Sequence, residues 1–354
     1  MAYTDIDDPS VHFQTALYTG NATQRDITND GNSDMQPDWV WVKCRSAVES
    51  HMLYDSNRGV TKDLRSDGNN AENTNAQGLQ TFNSDGFQLG TLQNVNFNTK
   101  TMVAWQWKAN GGTTASNTDG DITSTVQANT TAGFSIVTWS GSSDTNPTIG
   151  HGLSAAPTVV ISKNRTSGNN WLTGFTEPGF NWNTSYYHLN STNGKQTNAN
   201  GSGFYAAPTS TTISSGGFNH EEADSNYLAY CFHSVQGYSK LGKYIGNGNA
   251  NGPFIYCGFE PAWILVKLSS ANGNGWQIVD NKRNPINTGN GKRLFPNNTN
   301  AEASSDSEGF DFLSNGFKLR NASGGGNTNA ATYIFMAFAE RPFVSSEGTP
   351  VTAR

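Results

Sequence analysis

Apolar and polar residues alternate with period two along several short stretches of this chain, and the same stretches come round three times. In Pro37-Asp-Trp-Val-Trp-Val-Lys43 the residues Trp39, Trp41 and Lys43 fall on one side of an extended chain, with Val40 and Val42 on the other. Pro157-Thr-Val-Val-Ile-Ser-Lys163 and Pro261-Ala-Trp-Ile-Leu-Val-Lys267 keep the same Pro-to-Lys spacing. Period two over β-branched and aromatic residues predicts strands, and apolar character on both sides predicts strands central to a sandwich. The leading proline has no N–H to donate, so it is expected at the first residue of its strand. Ser84-Asp-Gly86-Phe and Ser314-Asn-Gly316-Phe predict hairpins, with Asn200-Gly-Ser-Gly203-Phe204 a weaker counterpart. No segment carries a sustained helical stripe.

Other blocks keep step with the prolines. Tyr18-Thr-Gly20-Asn21, Trp139-Ser-Gly141-Ser142 and Tyr244-Ile-Gly246-Asn247 open each copy, and Met102–Trp107, Tyr227–Phe232 and Tyr333–Phe338 close it. The pattern predicts an all-β protein of three tandem antiparallel β-sandwich repeats of jelly-roll or lectin-like type. They occupy residues 14–109, 133–236 and 237–343, with an N-terminal docking arm at 1–13 and a C-terminal tail at 344–354. The Gly-, Thr- and Asn-rich stretch 110–132 is expected to be a linker, with a short strand around Ile122 to Val126, leaving the first repeat at a variable angle or fixed by a partner chain. A feature kept in every copy serves the fold, whereas a feature of one copy is free to serve function.

Composition narrows the possible functions. Charged residues make up 14% of the chain and aromatics 11%, and the net charge is −6, so nothing marks a nucleic-acid-binding surface. Cys44, Cys231 and Cys257 stand in unrelated columns without metal-ligand spacing and read as buried free thiols. No apolar run is long enough to cross a membrane as a helix, and the opening residues Met1-Ala-Tyr-Thr-Asp-Ile-Asp-Asp8 lack the pattern of a secretion leader. These features predict a protein made in the cytoplasm, without membrane insertion and without a cofactor.

Three constellations could carry chemistry. Asp55, Arg58 and Glu72 recur as Asp280, Arg283 and Glu302, and their recurrence in two copies reads as structural ion pairs rather than as a carboxylate pair for glycoside hydrolysis. A cation or ligand site shared by the two outer copies is the alternative. Trp171 and Trp276 share a column, with Met52 as the counterpart in the first copy, and read as core. Trp182, Tyr186 and Tyr187 lie in a stretch without counterpart and are candidate glycan contacts, the competing reading being an edge strand and turn. Asp30-Gly-Asn32-Ser-Asp34 and Asp119-Gly-Asp121 imitate the start of a calcium loop but lack the rest of it, and read as turns. His151, His188, His220 and His233 form no catalytic arrangement that spacing certifies, and the chain is expected not to be an enzyme.

Taken together, Tyr18-Thr-Gly-Asn21, Tyr54-Asp-Ser-Asn-Arg-Gly59, Phe82-Asn-Ser-Asp-Gly-Phe87, Gly133-Phe-Ser-Ile-Val-Thr138, Gly237-Tyr-Ser-Lys240 and Phe312-Leu-Ser-Asn-Gly-Phe-Lys-Leu-Arg320 resemble the virion structural proteins of tailed bacteriophages of marine bacteria. The resemblance runs from about Tyr3 to Phe343 and implies a tail-fibre-like virion surface protein, with other virion proteins as partners. It implies a homo-oligomer, trimeric in the usual fibre pattern, and a host surface glycan as a further partner. A capsid decoration or head-fibre protein is the alternative, and a polysaccharide depolymerase is the least favoured reading. Tyr3, Ile6 and Phe13 of the arm are the expected virion-docking residues.

Overall fold

The computed structural model describes residues 3–144, 146–197, 203–214, 222–285, 287, 291–305, 309–322 and 325–351. Across these residues the protein is all-β, made of several antiparallel sheets, none of them closed. Among the described residues, helix is confined to the short turns Pro9–Val11 and Gln93–Asn96.

Each repeat lays an opening strand, a closing strand and a proline strand side by side in that order. In repeat 1 these are Phe13–Thr19, Thr101–Trp107 and Trp39–Cys44. In repeat 2 they are Phe134–Ser140, Asn226–Phe232 and Val159–Asn164, and in repeat 3 Ser239–Ile245, Thr332–Pro342 and Phe259–Leu268. A hairpin strand then continues each sheet: Met52–Asp55, Leu172–Phe175 or Gln277–Asp280. Central position explains why the closing blocks are apolar on both sides. Pro37 and Pro157 precede their strands, but Pro261 lies inside one, at a register shift between Glu260 and Trp263 where no ladder bond is needed.

A smaller sheet faces each large one. Ile27, Phe87 and Leu89 of repeat 1 pack on Val40, Val42 and Tyr54, and Ile149 and Ile213 of repeat 2 pack on Val160 and Leu172. The hairpins close as read at Phe82↔Phe87 and Leu313↔Gly316. In repeat 2 the strand facing Thr148–Gly150 is Thr212–Ser214, while residues 200–202 of the weaker hairpin candidate lie outside the described residues.

The glycine of each opening block now has a cause. A Cβ on Gly20, Gly141 or Gly246 would lie 2.1, 2.2 or 2.3 Å from the carbonyl oxygen of Phe97, Glu222 or Thr328, in the loop leading to the closing strand. The same glycines donate their N–H to Lys100, Ser225 and Ala331, each one residue before that strand. Only a residue without a side chain lets the two segments meet this closely.

Three expectations are overturned. Residues 110–132 are not a free linker, because Ser124–Asn129 pairs with the opening strand of repeat 2 and Ala115–Asn117 pairs with Ser124–Asn129, extending that sheet to eight strands. Repeat 1 is not at a variable angle either: Asn57 donates to the carbonyls of Thr125 and Ile136, and Gln127 to the Ser56 hydroxyl. The arm is folded back on the molecule rather than offered to a partner. Ile6 and Phe13 are buried in the core, Tyr3 donates to the Gly258 carbonyl, and Thr4 donates to that of Gln236. The segment after residue 343 meets the arm, with Ser346 donating its N–H to Asp7 at 2.7 Å.

The repeats do not sit in a row. One apolar cluster draws residues from all of them, beside the separate clusters inside repeats 1 and 2. Trp39 stacks on Trp107 at 4.4 Å and on Tyr230 of repeat 2 at 4.2 Å. Trp107 meets Trp263 of repeat 3 edge-on at 5.3 Å, and Phe232 and Phe338 are 5.8 Å apart. Each repeat therefore touches both others, in a closed ring around a shared aromatic core. Burying one such ring system is worth roughly 4–6 kcal/mol before entropy at about 25 cal/mol per Å². That offsets the cost of the indole N–H groups of Trp39, Trp107 and Trp263, which are buried without hydrogen-bond partners among the described residues.

Candidate functional site

The strongest concentrations of buried charge lie on the seams between repeats, and they follow the ring. At the seam of repeats 1 and 2, Asp55 accepts from the Arg58 backbone at 2.9 Å, from Arg58 Nε at 2.5 Å and from the Tyr230 hydroxyl of repeat 2 at 2.8 Å. Arg58 also reaches Glu72 at 3.0 Å, and Glu72 is gripped by both Nε and Nη2 of Arg165 from repeat 2, at 2.8 and 2.9 Å. Repeats 3 and 1 build the same device. Asp280 holds the Arg283 backbone and Nε at 2.8 and 2.6 Å and takes the Trp105 indole N–H at 2.9 Å; Glu302 is clamped by Arg283 and, twice, by Arg45.

The third seam lacks the device as a whole. Phe175 pairs with Val159 where Asp55 pairs with Trp39 and Asp280 with Trp263. Met336 stands in the column of Trp105 and Tyr230, and Ser269 in that of Arg45 and Arg165. Here Glu177 accepts from Tyr187 at 2.6 Å and from Ser269 at 3.1 Å. The counterparts of Asp55, of the seam arginine and of the hydroxyl or indole donor change together, because any one left alone would lack compensation, and the carboxylate that this seam does bury, Glu177, is satisfied by two hydroxyls instead.

A second group of cations follows the same circuit. The lysines that end the proline blocks, Lys43, Lys163 and Lys267, are fully buried. Each donates to a carbonyl of the preceding repeat in the ring: Thr299, Asn69 and Thr192, at 3.1, 3.2 and 3.0 Å. Burial pushes their pKa values down to about 8, about 8 and about 7. The tryptophan column closes two of the seams further, Trp171 Nε1 donating to the Arg65 carbonyl and Trp276 Nε1 to that of His188. Strand register puts His51, not Met52, in that column, since Met52 faces Val42 as Leu172 faces Ser162 and Gln277 faces Val266. Burial, with Lys43 next to it, holds His51 neutral, well below the ordinary histidine range.

Electrostatics matches this geometry. Burial works against the Arg58 cation, but Asp55, Tyr230 and Glu72 more than compensate and hold its pKa above the ordinary value. Burial likewise opposes the charges on Glu72 and Glu302, and their arginine partners overcome it, leaving both below the usual carboxylate range. These groups are held in their charged forms by one another, which suits holding repeats together.

The candidate glycan contacts are differently placed from their reading. Trp182 is buried, donating to Thr176 and packing edge-on to Phe180 and Phe204; Tyr187 is buried with its hydroxyl on Glu177; only Tyr186 is half-exposed. They form no open stacking platform. The indole turns inward because Gly174 lets the Trp182 ring lie against the strand, where a Cβ would come within 2.1 Å of it. Of the acidic loops, Asp30 pairs with Lys282 across the seam of repeats 1 and 3, and Asp121 caps Thr148. Among the described residues no three His, Cys, Asp or Glu side chains group as metal ligands. His220 lies outside the described residues. The three cysteines are buried and free.

Sequence reasoning misses Arg45, Arg165, Trp105 and Tyr230. Their signal is nonetheless present, because the arginines stand two residues after the repeated lysine and the donors mid-way along the closing block.

Residues 8–342 match the model of a domain of unknown function, DUF7483, and the chain belongs to that family. Neither a curated protein nor a solved structure matches it.

Proposed function

We propose that this is a non-enzymatic virion surface protein, a tail-fibre or receptor-binding component that engages a glycan on a host surface, with each repeat a small β-sandwich of jelly-roll or lectin-like type. The observation that carries the reading is that the chemistry recurring between repeats is consumed at the seams: Asp55 and Asp280 are fully buried, each bound to arginine and to an aromatic donor of the neighbouring repeat. Such a protein is a rigid body that presents its unrepeated surface to partners. The bacteriophage setting, and location on the virion, come from the sequence resemblance. The burial of Asp55 and Asp280 also speaks against the depolymerase reading, which needs two carboxylates facing one groove.

Capsid decoration is favoured by one feature, the exposed apolar side chains Ile245, Phe254 and Tyr256 on repeat 3. Other virion proteins are the partners in both readings. A homo-oligomer would assemble through the outer surface, since the faces between repeats are already buried within one chain. Immunogold labelling of intact virions with antibody to the purified protein separates the readings. Gold at the tail is expected; gold over the head overturns the receptor reading in favour of decoration, and unlabelled virions overturn both.

A further inference from the structure

Repeat 2 carries a cleft of about 510 Å³, one wall of which comes from a segment that the other repeats lack. One wall is the stretch running into the added strand, from Asp121 to Thr125; the other is the end of the opening strand and the loop after it, from Thr138 to Asp144. In repeats 1 and 3 the opening strand is an edge strand of its sheet. The volume is within the range of about 300–1,000 Å³ usual for small-ligand clefts.

The lining is chemically mixed. Thr125, Thr138 and Ser140 offer hydroxyls, Asp121 and Asp144 offer carboxylates, and Asn226 and Arg165 offer N–H donors. Asp121 commits one oxygen, Oδ2, to Thr148, and Arg165 commits Nε and Nη2 to Glu72, so both are held rigidly in place. Trp139 lies beneath, 5% exposed, and its indole N–H has no hydrogen-bond partner among the described residues. The tyrosines in its column are satisfied, Tyr18 by the Val95 carbonyl and Tyr244 by that of Gly326. Repeat 2 has exchanged a bonded tyrosine for an indole whose N–H finds no partner among the described residues.

These groups select a ligand class by exclusion. A phosphate or carboxylate would face Asp121 and Asp144, a cation would face Arg165, and an apolar ligand would cover the two carboxylates without offering them a donor. A neutral polyol both donates and accepts through each hydroxyl, and so satisfies carboxylate, amide and guanidinium together.

We propose that this cleft is the saccharide-binding site of the protein, taking one or two neutral sugar units of a surface polysaccharide. The inference rests on the receptor reading given above and moves the contact away from Trp182. The test is saturation-transfer NMR of the full chain with methyl glycosides of glucose, galactose, mannose, rhamnose and N-acetylglucosamine, followed by an array of bacterial polysaccharides. Ser140→Trp fills the cleft from an exposed position, and Asp144→Ala removes a carboxylate from an exposed loop; thermal melting checks that each variant is folded. The expected result is binding by the wild type that weakens at least about tenfold in either variant. Binding that persists unchanged in both keeps the receptor reading and overturns the cleft. Failure of the wild type to bind any glycoside or polysaccharide overturns the cleft and the glycan-binding reading together, while the immunogold result stands independently.

Discussion

Asp55 and Arg58 are each fully buried in the side chain and paired at 2.5 Å, which makes their partnership asymmetric in energy. Removing one member leaves the other charged and uncompensated, while replacing the whole set with apolar groups removes the desolvation cost as well. Asp55→Ala is therefore expected to cost about 3–5 kcal/mol in urea denaturation. The combined change Asp55→Phe, Arg58→Leu and Tyr230→Met, patterned on the third seam, is expected to cost less than Asp55→Ala alone. The buried lysines set a pH dependence. With folded pKa values near 8, 8 and 7 against an ordinary 10.5, the unfolded chain binds more protons above pH 7, so stability rises with pH through that range. Burial also lowers His12, His51 and His188, so stability falls as pH drops below 6.5, where the unfolded histidines take protons. Burial raises Cys231 and Cys257 to about 12, which opposes the lysine effect once unfolded thiols ionise near pH 9. Calorimetry should find the thermal midpoint rising from pH 5 to about 8.5; a midpoint that is flat or highest below pH 6 would contradict the buried-lysine account.

At the scale of elements, the strands follow from alternation, and their crossings follow from where side chains are missing. Gly20, Gly141 and Gly246 each lie where the opening strand's end meets the loop before the closing strand. Gly141→Ala is expected to lose at least about 2 kcal/mol, because the obstacle is backbone rather than a flexible side chain. Hydrogen exchange at the Ser225 end of the closing strand would report the damage, and unchanged protection there would refute it. The strand Ser124–Asn129 is half-legible, overlapping the short strand expected around Ile122 to Val126. Its Gly-, Thr- and Asn-rich surroundings read as a linker because a strand added to a solvated edge needs few apolar residues. Trp182 misled for a related reason: an aromatic among asparagines marks a loop, but only Gly174 on the neighbouring strand decides that the ring is buried.

For the whole molecule, the shared core predicts one cooperative transition. Tryptophan fluorescence and far-ultraviolet circular dichroism should give coincident unfolding curves, because Trp39, Trp107 and Trp263 report a core common to all repeats. Two separated transitions would mean that the repeats stand alone. The seam sets were partly visible in the sequence, since Asp55, Arg58 and Glu72 visibly recur as Asp280, Arg283 and Glu302. Their trans partners Tyr230, Arg165, Trp105 and Arg45 became evident only in space. By itself the sequence determined the threefold repeat, the strands, the hairpin turns and the burial of the repeated tryptophans, because these depend on local periodicity and on residues that tolerate few backbone shapes. Only the tertiary structure decided that the repeats close into a ring, that repeated charges face a neighbouring repeat, and that the arm and linker are packed. Alternation tells which side of a strand must be covered, and the identity of the cover depends on contacts between residues as far apart in the chain as Asp55 and Tyr230.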